Sequence, residues 1–119
     1  MKLDVDYEDY LEAEVFDRAG RLVGNLDCYW EDEDGETEFL GIKMKSVPGK
    51  TAVVPTRLAE ANERKSCVLL GLGEPTITEG PSLDCDEELD QLFEERVYAH
   101  YGLSSPLKQH RLQIHRTEK

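Results

Sequence analysis

The sequence predicts a mainly β domain, a small antiparallel β-barrel with one C-terminal α-helix packed on it. Three observations carry that prediction. Leu22, Gly24, Leu26 and Cys28 alternate with Val23, Asn25, Asp27 and Tyr29, the period of two that a strand imposes. The turn-forming pairs Asp34-Gly35 and Pro48-Gly49 separate successive apolar runs with no helical stretch between them. One segment, about 85–102, switches to the three- and four-residue spacing of an amphipathic helix.

Each element follows from local chemistry. Both alternating sets of the 22–29 run contain apolar residues, so this ribbon is expected to be buried on two sides. Asp34-Gly35 then predicts a hairpin to Phe39-Leu40-Gly41-Ile42, because the turn requires a residue tolerant of positive φ. Pro48-Gly49 places proline and glycine as a type II turn prefers, and Ala52–Pro55 is the next strand. Leu58–Asn62 predicts one helical turn, Cys67–Leu72 a short buried strand, and Thr76–Thr78 a further short strand. In the helix, Asp84 and Glu87 fit a capping box, and Leu89, Leu92, Phe93, Val97, His100 and Tyr101 form the apolar stripe. Gly102 suits the left-handed position that ends a helix. A short sheet with two apolar faces and no covering helices closes most simply as a barrel, which also removes its open edges.

Composition restricts the function classes. The chain has 119 residues, a one-domain length, with 14 basic and 26 acidic residues and a net charge of −12. That balance argues against direct binding of nucleic acid or anionic lipid, both of which need clustered Lys and Arg. The longest apolar run is too short to span a bilayer, and Met1–Asp6 lacks the apolar stretch of a secretory signal, so a cytoplasmic location is expected. Charge is unevenly placed. Glu31–Glu38 holds six acids and no base, and Asp84–Glu95 holds seven acids and no base. The segment 106–119 reverses sign through Lys108, Arg111, Arg116 and Lys119. It reads either as a solvated terminus or as a segment that docks on an acidic face of its own domain or of a second copy.

The motifs that would announce a reaction fail one by one. Aligning Asp34-Gly35 with an EF-hand loop puts Trp30 and Gly41 at the two terminal ligand positions, so only weak, unselective cation binding is left to the hairpin. Gly71-Leu72-Gly73 is followed by Thr76 where a dinucleotide loop needs glycine. His100, His110 and His115 have no zinc spacing. His100 reads as a half-buried packing residue and Tyr98 or Tyr101 as the pin of the helix. Tyr7 and Tyr10 read as a cover for a barrel end or as part of a partner surface. Cys28, Cys67 and Cys85 are an odd set without CxxC spacing. They read as reduced thiols, Cys28 and Cys67 filling core positions on strands. No enzyme, cofactor, metal or small-molecule substrate is expected.

Several short motifs together resemble the PRC-barrel family, over about Val15 to Leu103. Val15-Phe16-Asp17, Gly20 and Val23-Gly24 are similar to its opening motif, and Asn25-Leu26-Asp27 and Phe39-Leu40-Gly41-Ile42 to its next strands. Val54-Pro55 with Ala59 fits its V-P-x-x-x-A step, and Pro81-Ser82-Leu83 the approach to its helix, with Gly80 in place of the usual Ala. Tyr98, Tyr101, Gly102 and Leu103 match its closing Y-x-x-Y-G-L. The resemblance implies a PRC-type barrel within a domain over 1–105, with the barrel at about 11–80, the helix at about 85–102 and a basic tail at 106–119. It also implies an interaction or docking module, because members of this family act mainly in that way. The expected surface is the acidic hairpin Glu31, Asp32, Glu33, Asp34 and Glu36, and the expected partner is a basic protein or a second copy of the chain. The competing expectation, also implied by the resemblance, is a small-molecule, metal or proton-handling module associated with an electron-transfer complex, because the family takes its name from the cytoplasmic domain of the photosynthetic reaction-centre H subunit.

Overall fold

The computed structural model of the chain describes residues 6–104 and 112–116. Seven strands are formed: β1 (Glu14–Phe16), β2 (Leu22–Glu31), β3 (Thr37–Met44), β4 (Thr51–Pro55), β5 (Ala59–Asn62), β6 (Cys67–Leu70) and β7 (Gln113–Arg116). Two helices, α1 (Glu74–Thr78) and α2 (Gln91–His100), lie between β6 and β7. The strands form one sheet in the order β4-β3-β2-β1-β6-β5, with β7 pairing β2 off that path. Among the described residues no helix is long and apolar enough to cross a membrane.

The sheet corrects the expected architecture twice. It is mixed, because β1 and β6 run parallel while the other pairs are antiparallel. It is also not closed into a barrel, since β4 and β5 at its two ends do not pair with each other among the described residues. The two-sided apolar pattern that suggested closure is satisfied differently. One cluster gathers Val23, Leu26, Leu40, Ile42, Val54 and Ile77. The other gathers Cys28, Trp30, Phe39 and Val53 with Val97 and Tyr98 of α2. Neighbouring Val53 and Val54 therefore point into different clusters, as the period of two requires. Each face of the sheet has its own cover, so neither is left to water.

β2 organises the domain. It runs for ten residues and keeps β3 along one edge. Its other edge is shared, with β1 on Leu22–Asn25 and β7 on Cys28–Glu31. Between them, Leu26 donates its N–H to the Ala13 carbonyl (2.9 Å) and accepts from the Glu12 N–H (2.7 Å). Gly24 permits the closest approach to β3, because a Cβ there would strike the Lys43 carbonyl. The Pro48-Gly49 turn forms as expected, with Gly49 at φ +84° and Lys50 N–H donating to Val47 O at 3.1 Å.

Several local expectations are corrected. Leu58–Asn62 is not a helical turn; a 3-10 turn over Thr56–Leu58 precedes β5. Thr76–Thr78 lies in α1 rather than in a strand, because Pro75 occupies a first-turn position and Ile77 is driven into the core. α2 begins at Gln91, capped by Asp90, whose Oδ1 accepts the Phe93 N–H at 2.8 Å. Asp84 instead opens a turn, its carbonyl accepting the Glu87 N–H at 3.0 Å, next to an anchored Cys85. The buried face differs from the expected stripe. Glu94, Val97 and Tyr98 turn inward, while Leu92 is 70% exposed. Tyr98 pins the helix, its ring 5.3 Å from that of Phe39, and Tyr101 is half-buried against both clusters. His100 is exposed rather than half-buried, with its Nε2 2.9 Å from the Thr76 carbonyl oxygen.

The cysteines are not all reduced thiols. Cys28 and Cys85 form a disulfide across 57 positions, tying β2 to the segment that leads into α2. Cys67 is free and buried on β6, as expected of a small apolar residue.

Candidate protein-docking surface

The acidic hairpin is built on an Asp turn. Asp32 N–H donates to Glu36 O (2.8 Å), and Gly35 N–H donates to Asp32 O (3.1 Å). Gly35 sits at φ +81°, and Asp32 Oδ1 accepts the N–H groups of Asp34 and Glu36, both at 2.9 Å. The loop is thus the three residues Glu33, Asp34 and Gly35 rather than a two-residue Asp-Gly turn. Only Gly35 needs positive φ in this geometry.

This fold divides the five expected site residues. Glu33, Asp34 and Glu36 are exposed at the tip. Asp32 is 6% exposed and serves the turn. Glu31 is half-buried at the end of β2, with its Oε1 2.9 Å from His115 Nε2, a pair that is ionic when the imidazole is protonated. A sixth acid belongs with them: Glu38 on β3 accepts the Tyr98 hydroxyl at 3.4 Å. Tyr98 itself lies under the Arg57 guanidinium, 5.1 Å from the ring centre. One oxygen from each of Asp32, Glu36 and Glu38 lies within 4.8 Å of the others.

A second acidic concentration is visible in the sequence as seven acids against two bases over Met1–Ala19, but its placement is not. The 3-10 turn Tyr7–Tyr10 brings its acids toward the same end of β2 as the hairpin. Burial pushes the Tyr29 hydroxyl up to about 12, and the charges of Glu31, Glu8, Asp6 and Asp9 add to the rise. Tyr7 and Tyr10 are buried in the core cluster that contains Tyr29, so they act as core and not as open surface. The signal available in sequence was the Tyr-x-x-Tyr spacing of residues 7 and 10, which places both rings on one side of a single turn.

The basic segment meets this acidic end. Gln113–Arg116 pairs antiparallel with β2 as β7, setting Tyr29 opposite His115 and Glu31 opposite Gln113. The His115 ring stacks on Tyr29 at 5.0 Å, and Leu112 and Ile114 pack against the cluster under α2. Of the two readings of the tail, docking on its own domain describes residues 112–116. Lys108, Arg111 and Lys119 lie outside the described residues.

No family model matches the chain. No curated protein matches it either.

Proposed function

We propose that the chain is a non-enzymatic docking module that presents the tip Glu33, Asp34 and Glu36 to a basic partner. The observation that carries this reading is the division of labour in the hairpin. Asp32 and Glu31 hold the loop and β7, while Glu33, Asp34 and Glu36 are exposed on a tip fixed by backbone hydrogen bonds. A rigid, single-signed tip favours fast, oriented encounter with a positive surface more than tight binding. The chain's own β7 supplies an internal example, an extended segment seated beside Glu31.

The family reading that accompanies this proposal is membership of the PRC-barrel family, although the sheet is open where the resemblance implies closure. Its support is the ordered set of motifs from Val15 to Leu103 together with a single sheet that carries a helix on one face. A cytoplasmic location also belongs to the proposal, and it meets one opposing fact. The Cys28–Cys85 disulfide is of a kind that persists mainly in oxidising compartments.

The test is capture from source-cell lysate at low and high salt, run with the wild-type chain and with Glu33→Gln, Asp34→Asn and Glu36→Gln combined. The reading expects a basic protein that the wild type retains at low salt and that both high salt and the triple variant release. Retention that the triple variant leaves unchanged removes the tip from the mechanism.

A further inference from the structure

The acidic tip and its neighbouring carboxylates differ in one respect from ordinary surface charge. Asp32 is 6% exposed, and its Oδ2 is buried with no hydrogen-bond partner. The turn does not require this. Asp17 builds the same turn in Asp17–Arg21, with Oδ1 accepting Ala19 N–H at 2.9 Å and Arg21 N–H at 2.8 Å, and Gly20 at φ +83°. There Oδ2 accepts the Glu74 N–H at 3.0 Å and has Arg21 Nε at 3.9 Å. At Asp32 the matching oxygen has neither kind of partner among the described residues. A buried carboxylate oxygen without a donor is costly. A cation satisfies it.

The surrounding donor set identifies the class of cation. One oxygen each from Asp32, Glu36 and Glu38 falls within 4.8 Å of the others. Ca2+ takes several protein carboxylates in flexible geometry, whereas Mg2+ demands a near-ideal octahedron and keeps much of its water. Three carboxylate oxygens this near to one another can share one ion. All are hard oxygen donors, which exclude a soft metal, and no His or Cys belongs to the group. Asp32 is held in place by the two N–H groups on its Oδ1, so it pays little ordering entropy on binding. Glu38 is half-buried and accepts the Tyr98 hydroxyl, while Glu36 is the exposed member of the group. Arg57, an exposed cation, lies over the Tyr98 ring beside the three carboxylates.

We infer that Asp32, Glu36 and Glu38 form a site for a hard divalent cation of the calcium class at the base of the β2–β3 hairpin. This inference does not rest on the docking reading, because the cation is held without any protein partner. With three protein carboxylates and the remaining positions left to water or backbone carbonyls, the affinity falls in the weak range of about 0.1–1 mM.

The test uses the full chain and calcium chloride, followed by amide chemical shifts at constant ionic strength, with magnesium chloride and potassium chloride as comparisons. The expected result is a saturating shift confined to residues 31–38, stronger for calcium than for magnesium and absent for potassium. Asp32→Asn keeps an oxygen for the turn and weakens binding by at least about tenfold, as does Glu38→Gln. Glu88→Gln, in the other acidic run, leaves the titration unchanged. If Asp32→Asn does not fold, Glu36→Gln and Glu38→Gln carry the same test. A response that never saturates, that spreads equally over residues 84–95, or that survives in the variants overturns the site.

Discussion

Asp17 and Asp32 form the same hairpin turn, and each holds it with the oxygen Oδ1. They part at the second oxygen. Asp17 Oδ2 reaches across 57 positions to the Glu74 N–H at 3.0 Å and ties the β1–β2 turn to the start of α1. Asp32 Oδ2 makes no such tie. One turn is therefore closed into the body of the fold, and the other is left as an acidic projection.

The Asp17 tie makes stability sensitive to acid. Hydrogen bonds from the backbone N–H groups of Arg21, Glu74 and Ala19, with help from the Arg21 charge, hold its carboxyl below the usual 3.8 despite burial. A group whose pKa is depressed by folding contributes fully above its unfolded value and loses that contribution as pH falls through its folded value. Melting temperature should thus decline below about pH 4 in the wild type. Asp17→Asn should cost about 2–3 kcal/mol at neutral pH and should flatten this acid-limb decline, as read by thermal unfolding from pH 2 to 7.

At the alkaline end the sign reverses. Burial pushes the hydroxyls of Tyr29, Tyr98 and Tyr101 up to about 12. Folding favours their neutral form, so their contribution is complete below the unfolded value near 10 and disappears as pH rises toward 12. Ultraviolet titration should find the folded chain's phenols largely un-ionised at pH 10, with ionisation and unfolding arriving together above it.

The Cys28–Cys85 bond closes a loop of 57 positions. Chain-entropy reasoning assigns such a crosslink about 4 kcal/mol of stability. Denaturant unfolding with and without a thiol reductant should show a loss of this order, and the double variant Cys28→Ala with Cys85→Ala should lose its response to reductant. A thiol reagent should label Cys67 only after unfolding, since that side chain is buried.

Removing residues 112–119 uncovers the Cys28–Glu31 edge of β2. The truncated chain should lose amide protection in that stretch and should self-associate with rising concentration, because an open strand edge is a template for another strand. Hydrogen exchange and light scattering measure the two effects. An unchanged melting temperature together with an unchanged oligomeric state would show that β7 contributes nothing.

Gly24→Ala should separate β2 from β3 locally. The added methyl would strike backbone at Lys43, which cannot move as a side-chain tip does. A loss of about 1–3 kcal/mol is expected from denaturant unfolding. Gly73→Ala serves as a comparison, since the nearest atom to a Cβ there is a proline carbon at 3.7 Å.

The elements most legible in the sequence were those fixed by neighbours along the chain. The period of two in β2, the Pro48-Gly49 turn and the apolar run of β6 needed only local rules. Sequence reading failed where a distant residue decided the outcome. Asp84 is a good cap by local chemistry, but Cys28 anchors Cys85 and the helix waits for Asp90. Thr76–Thr78 has strand-forming residues, yet Asp17 receives the Glu74 N–H and Ile77 has a core to enter, so a short helix forms. The acidic hairpin was visible as composition. Its division into buried, paired and exposed carboxylates was not, because that depends on Tyr98 and His115 arriving from elsewhere.

The shared edge of β2 has a consequence for synthesis. A ribosome emits β2 early, while β6, which pairs with β1, and β7, which covers the rest of the β2 edge, emerge late. The emerging polypeptide carries an uncovered hydrogen-bonding rim through most of its translation, and contacts this distant in sequence form slowly. The negative charge that Glu31–Glu38 places on the adjoining hairpin would then act as an electrostatic guard, keeping neighbouring nascent chains apart until the last strand arrives.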